Sequence, residues 1–139
     1  MRNNPSLYDK DPLLWSEQQV DVLRRRAFAE LDLENVIDEI ESVGLSELKT
    51  VISHLRWAMT HELKIIAWPK SRDVPHWQAE SRSRRDDAID TYTPSMVQRI
   101  DVEQIYQRAK RALPETLDDV SPLPVPEHSP WTLDDLLKE

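Results

Sequence analysis

Apolar residues recur along this chain at intervals of three and four, the spacing of one face of an α-helix. In DPLLWSEQQVDVLRRRA they are Leu13, Val20, Leu23 and Ala27. Asp11 is placed to cap that helix, Pro12 suits its first position, and Arg24, Arg25 and Arg26 favour the negative end of its dipole. In LDLENVIDEIESVG the stripe is Leu33, Val36, Ile37, Ile40 and Val43, with Asp32 as cap and Gly44 as a left-handed stop. Ser46 then caps a longer helix near 47–67, closed by Pro69, whose inward stripe is Leu48, Ile52, Leu55, Met59, Leu63 and Ile66. A fourth helix near 76–92 carries Trp77, Ser81, Arg85, Ala88 and Tyr92 on one side. A fifth, strongest at DVEQIYQRAKRAL, turns Val102, Ile105, Tyr106, Ala109 and Leu113 inward.

The prolines of SPLPVPEHSP allow neither a helix nor a central strand, so this segment reads as an extended strap. After it, Thr132 and Asp135 are spaced as a capping box, and Trp131 and Leu136 as a hydrophobic staple, for a short last helix. The pattern predicts an all-α protein: a single compact bundle of five or six helices over 1–139. Residues 1–10 form an irregular arm, 11–113 the helical body, and 114–139 the proline-rich strap with its terminal helix.

Composition agrees with helices and removes several chemistries. One glycine in 139 residues excludes Gly-rich phosphate loops and argues against a sheet with many tight turns. The absence of cysteine excludes disulfides, zinc–thiolate sites and thiol catalysis. No apolar run approaches the roughly 20 residues of a membrane span, and MRNNPSLYDKD lacks the apolar middle of a signal peptide. These features predict a soluble cytoplasmic protein with no membrane partner. A net charge of −8 disfavours non-specific nucleic-acid binding as the main activity.

Candidate chemistry gathers in a few places. Glu34, Asp38 and Glu41 fall on one strip of a helix at i, i+4 and i+7, where like charges repel. A helix-bundle di-iron site would show Glu-x-x-His on two helices, and the chain has none, so no metal is expected. The expected compensation is water and a charge network joining Glu34, Asp38, Glu41 and Glu62 to Arg82, Arg84 and Arg85. Of these arginines, Arg85 lies within an apolar stripe and needs a carboxylate if buried. A second cluster, His54, Trp57, His61, Lys64 and Trp68, follows steps of 3, 4, 3 and 4 on the face opposite the Leu48–Ile66 stripe. It reads either as a helix buried on both sides, under the fourth helix or the strap, or as a partner surface, since tryptophan is favoured in binding hot spots. His54 and His61 stand about 10 Å apart along the axis, too far for easy joint ligation of zinc. Glu62 lies at the margin of the core stripe, as a structural partner for Arg85 or as an acid–base group. The segment 70–85 brings Lys70, Arg72, Arg82, Arg84 and Arg85 together with His76 and Trp77, diluted by Asp73 and Glu80.

ENVIDEIESVG and PEHSPWTLDDLLKE resemble the bacterial domain-of-unknown-function family twenty-nine. The likeness extends over Tyr8 to Trp15, Glu34 to Gly44, His61 to Lys64, Trp77 to Arg85 and Pro126 to Leu137. Ser129 stands where that family's motif carries a cysteine. The resemblance implies an all-helical fold and no established activity. From the residues, the expected function is a non-enzymatic protein-interaction or accessory module without cofactor, using the His54–Trp68 face on another protein. The alternatives are a nucleic-acid-associated regulator using 70–85, and an enzyme with an acid–base or metal site near His61 and Glu62.

Overall fold

The computed structural model describes residues 6–138. Among these, regular structure is entirely helical: α1 (Leu7–Lys10), α2 (Pro12–Arg24), α3 (Leu33–Ala67), α4 (Val74–Thr91), α5 (Val102–Arg111) and α6 (Leu133–Leu136). Short 3-10 turns lie at Phe28–Glu30 and Pro94–Arg99, and Leu117 and Val120 form an isolated antiparallel bridge. Contacts gather into two units, 1–45 and 46–139.

In the first unit the backbone of Leu14 donates to Asp11 Oδ1 at 3.0 Å, so the expected cap of α2 is present. Its C-terminus closes without glycine. Arg26 takes φ 57°, while Arg26 N and Ala27 N donate to Leu23 O and Val22 O at 3.1 and 3.0 Å. That is a Schellman closure built on a residue with a Cβ, which is strained there. Polar contacts centred on Asp32 hold the unit. Its carboxylate accepts from the Trp15 indole N–H and from Asn35 Nδ2, both at 2.8 Å, and its backbone N–H donates to Gln19 Oε1 at 2.8 Å. The Asn35 and Trp15 hydrogen bonds hold the Asp32 carboxyl below its usual pKa. Residues 7–10 of the expected arm form a helical turn capped by Ser6, and 1–5 lie outside the described residues.

The stop expected at Gly44 and the cap at Ser46 do not occur. α3 runs unbroken for 35 residues, roughly 50 Å. A glycine inside a helix costs only about 1 kcal/mol relative to alanine, and no glycine here has positive φ. The turns on both sides of Gly44 therefore carry the helix through it.

In the second unit the expected stripes are largely the core. Val51, Leu55, Met59 and Leu63 of α3 pack with Ala88 of α4, Met96, Ile100, Ile105, Tyr106 and Ala109 around α5, and Leu136 of α6. Asp101 caps α5 through Gln104 N at 3.1 Å, and Thr132 and Asp135 form the capping box of α6. The segment between α5 and α6 lies hydrogen-bonded along the helices. Leu123 N donates to Ala67 O at 2.9 Å, Tyr106 OH to Pro126 O at 2.6 Å, and Ser129 N to Glu103 Oε2 at 2.9 Å. The Trp131 ring meets Tyr106 edge-on, with centroids 6.0 Å apart.

Candidate functional site

The C-terminal half of α3 presents His54, Trp57, His61 and Lys64 to α4, and the two helices divide that face between them. At its inner end Lys64 Nζ sits 5.9 Å from the Trp77 ring centroid, and Trp77 is only 5% exposed. Further out, Arg84 Nη1 lies 3.4 Å from His54 Nδ1. Guanidinium nitrogens only donate, so this contact requires the tautomer of His54 whose Nδ1 accepts. The same Arg84 and Arg56 hold their guanidinium carbons 5.9 and 5.8 Å from the Trp57 centroid. His61 lies 6.3 Å from that ring, centroid to centroid. Trp57 itself remains 41% exposed.

His61 Nδ1 is buried without a hydrogen-bond partner. Burial pushes the His61 pKa down, and the neighbouring Lys64 charge adds to the shift.

Trp68 does not belong to this surface. It is 4% exposed, packs in a small cluster with Ala67 and Trp77, and donates its indole N–H to Val120 O at 2.9 Å. The 3-4 spacing places it on the same helical face, but the turn at 117–120 folds over the end of the helix and covers it.

The expected charge network does not form. The ion pairs among the described residues are Arg25–Asp21, Arg25–Glu30 and His128–Glu103, and none involves Arg82, Arg84 or Arg85. Glu62 instead accepts from Ser81 Oγ at 2.8 Å. Arg85 Nε is buried without a partner, and Arg85 shares the lining of a hollow with Arg82, Asp86, Asp90, Asp135 and Lys138. A long arginine stem can follow an apolar stripe, and Arg85 does so as it lines this hollow, with no carboxylate paired to it among the described residues. Glu34, Asp38 and Glu41 are exposed. Hydration offsets their repulsion at little cost, because exposed ion pairs contribute at most about 1 kcal/mol.

The basic run 70–85 is scattered in the same way. Lys70 and Arg72 reach one hollow, Arg82 and Arg85 another, and Arg84 the Trp57 ring. Trp77 is buried and offers no stacking platform. Among the described residues no group of three or more histidine and carboxylate side chains is arranged to hold a metal.

One feature escaped the sequence pattern. A largely apolar groove of about 500 Å³ lies between the α3–α4 connection and the 117–123 turn, with Trp68, Leu117, Val120 and Leu123 as walls and Lys70 and Arg72 at its rim. Asp118 and Asp119 both take positive φ, 51° and 63°, and Leu117 and Val120 exchange backbone hydrogen bonds of 3.0 and 2.9 Å across them. The sequence signal was TLDDV, two turn-forming residues between apolar ones. It shows a tight turn but not what the turn folds against.

These features define an all-α protein whose surface sites are aromatic and cationic. The chain belongs to the family described as Domain of unknown function DUF29, which matches residues 7–139. It is also similar to the crystal structure of an alpha-helical protein of unknown function from Rhodospirillum rubrum. Identity is 32% and the TM-score 0.70, over 98% of this chain and 92% of that one. No curated protein matches it. Among the described residues no helix is long and apolar enough to cross a membrane.

Proposed function

We propose that this protein is a non-enzymatic interaction module that takes an acidic segment of a partner protein on the Trp57 surface. The observation that carries the reading is the half-open indole of Trp57, with the guanidinium carbons of Arg56 and Arg84 5.8 and 5.9 Å from its ring centroid. Neither arginine makes an ion pair among the described residues, in a chain whose net charge is −8. An exposed aromatic ring flanked by unpaired cations suits a segment that sets an apolar side chain on the ring and carboxylates on the guanidiniums. The acid–base alternative has less support, because Glu62 is engaged by Ser81 while His61 faces Trp57.

The test is affinity capture from the native host followed by cross-linking, comparing the wild type with Trp57→Ala and Arg84→Ala. An acidic partner should cross-link next to Trp57 and lose affinity by about tenfold or more in both variants, the scale of a truncated hot spot. Equal capture by wild type and by well-folded variants would remove the surface from consideration.

A further inference from the structure

The groove between the α3–α4 connection and the 117–123 turn lies wholly within the second unit, and Trp57 is not among its lining. Its volume, about 500 Å³, falls within the roughly 300–1,000 Å³ of clefts that hold small molecules. Its walls are tied to one another. The Trp68 indole N–H donates to Val120 O, and Leu123 N donates to Ala67 O, both at 2.9 Å. These bonds join the end of α3 to the turn, so the fold itself shapes the groove and a ligand need not order it first. Yet Val120 and Leu123, two of its apolar walls, are 55% and 54% exposed. The lining is thus fixed in place while still facing solvent, where the apolar body of a ligand gains from leaving water.

The charges at the rim give the sign of that ligand. Lys70 and Arg72 are exposed there, and neither forms an ion pair among the described residues, on a chain whose net charge is −8. Beside them, Ser71 Oγ accepts from Asp73 N at 3.1 Å and keeps its hydroxyl proton to donate. Asp118 also lines the groove, but it pairs with neither cation, and its φ of 51° marks it as a turn residue of a type that tolerates this conformation. We infer that this groove binds a small organic anion, an apolar chain or ring bearing one carboxylate. The apolar body lies against Trp68, Val120 and Leu123, and the carboxylate meets Lys70 and Arg72 through charge-assisted hydrogen bonds. A peptide strand fits less well. Leu117 and Val120 spend their N–H and C=O groups on each other, and Leu123 spends its N–H on Ala67, so the turn offers these groups to no further strand.

The experiment is a nuclear magnetic resonance titration of the full, nitrogen-labelled chain with octanoate at neutral pH, below its micelle concentration, with octanol as the uncharged comparison. Octanoate should shift the Trp68 indole and the Val120 and Leu123 amides along one saturable curve. Octanol should bind about tenfold more weakly, and the double variant Lys70→Gln with Arg72→Gln should bind octanoate about as weakly as the wild type binds octanol. Val120→Asp, at an exposed position, should abolish the shifts with an unchanged circular dichroism spectrum; if that variant does not fold, the double variant decides. Equal affinity for octanoate and octanol, octanoate shifts confined to residues outside the groove, or full affinity in the double variant would overturn the inference. So would sedimentation of the chain with phosphatidylglycerol vesicles in the absence of any octanoate shift, which would give the rim cations to a membrane surface. Failure here would leave the Trp57 reading untouched, since the two surfaces share no residue.

Discussion

The two units carry the same kind of amphipathic helix and end with opposite surfaces. Leu55, Met59 and Leu63 of α3 are 0% exposed in the second unit, whereas Ile40 and Val43 of the same helix are 68% and 66% exposed in the first. The difference is not one of helix-forming tendency. The second unit has α4, α5, α6 and the extended segment to lay over the stripe, and so acquires a core. The first unit buries Trp15, Gln19 and Val22 among its described residues and relies on the hydrogen bonds around Asp32. An amphipathic stripe marks a surface that needs cover, without saying which chain supplies it.

The contrast is most exposed to failure in paired core substitutions. Leu55→Ala should lower stability by about 2–5 kcal/mol, the usual result of truncating a fully buried leucine. Ile40→Ala, measured in dilute solution, should stay within about 0.5 kcal/mol of the wild type. Urea titrations of both decide it, and equal losses would erase the distinction between the units. Next in size is Asp32→Ala, which strips the Trp15 indole of its acceptor and should lower the urea midpoint by less than Leu55→Ala does. Hydrogen exchange should then quicken in α2 and remain slow in α5. Faster exchange in both would mean that the units unfold together.

Acid should sharpen the comparison further. The pKa of His61 is lowered by folding, so its contribution is fully present above the unfolded value of 6.5 and is lost as pH falls through the lower folded value. The second unit should therefore weaken just below pH 6.5, and His61→Gln should flatten that stretch of the curve. Asp32 in the first unit is also lowered, from 3.8, so its contribution persists to that pH and fades only below it. Melting curves between pH 7 and 3, followed by hydrogen exchange in each unit, separate the two steps. The smallest effect concerns the turn. Replacing Asp118 and Asp119 with Asn and Gly suits two successive positive φ angles and should add about 0.5 kcal/mol to the second unit alone.

Much of the helical fold could be read directly from residues. The capping contacts of Asp11 and Thr132, the Leu55–Met59–Leu63 stripe and the Tyr106–Ala109 face lie where the spacing places them. These depend on neighbours three or four positions away and on side chains meeting their own backbone, so local chemistry is sufficient. Gly44 was the exception, because a single weak helix former yields to strong turns on both sides. The candidate site was legible only in part. His54, Trp57, His61 and Lys64 share a face by periodicity, but nothing in the pattern could show that Arg84 would approach Trp57 or that Glu62 would take Ser81 rather than Arg85. Nor could it show that Trp68 would disappear under the 117–120 turn. Those outcomes depend on where distant segments come to rest and on whether a long charged side chain finds water nearer than a partner. The sequence by itself determined where helices form and which faces they must cover. Only the tertiary structure decided which faces are covered, because burial is a contest between distant parts of the chain, and in the first unit none of the described residues covers Ile40 or Val43.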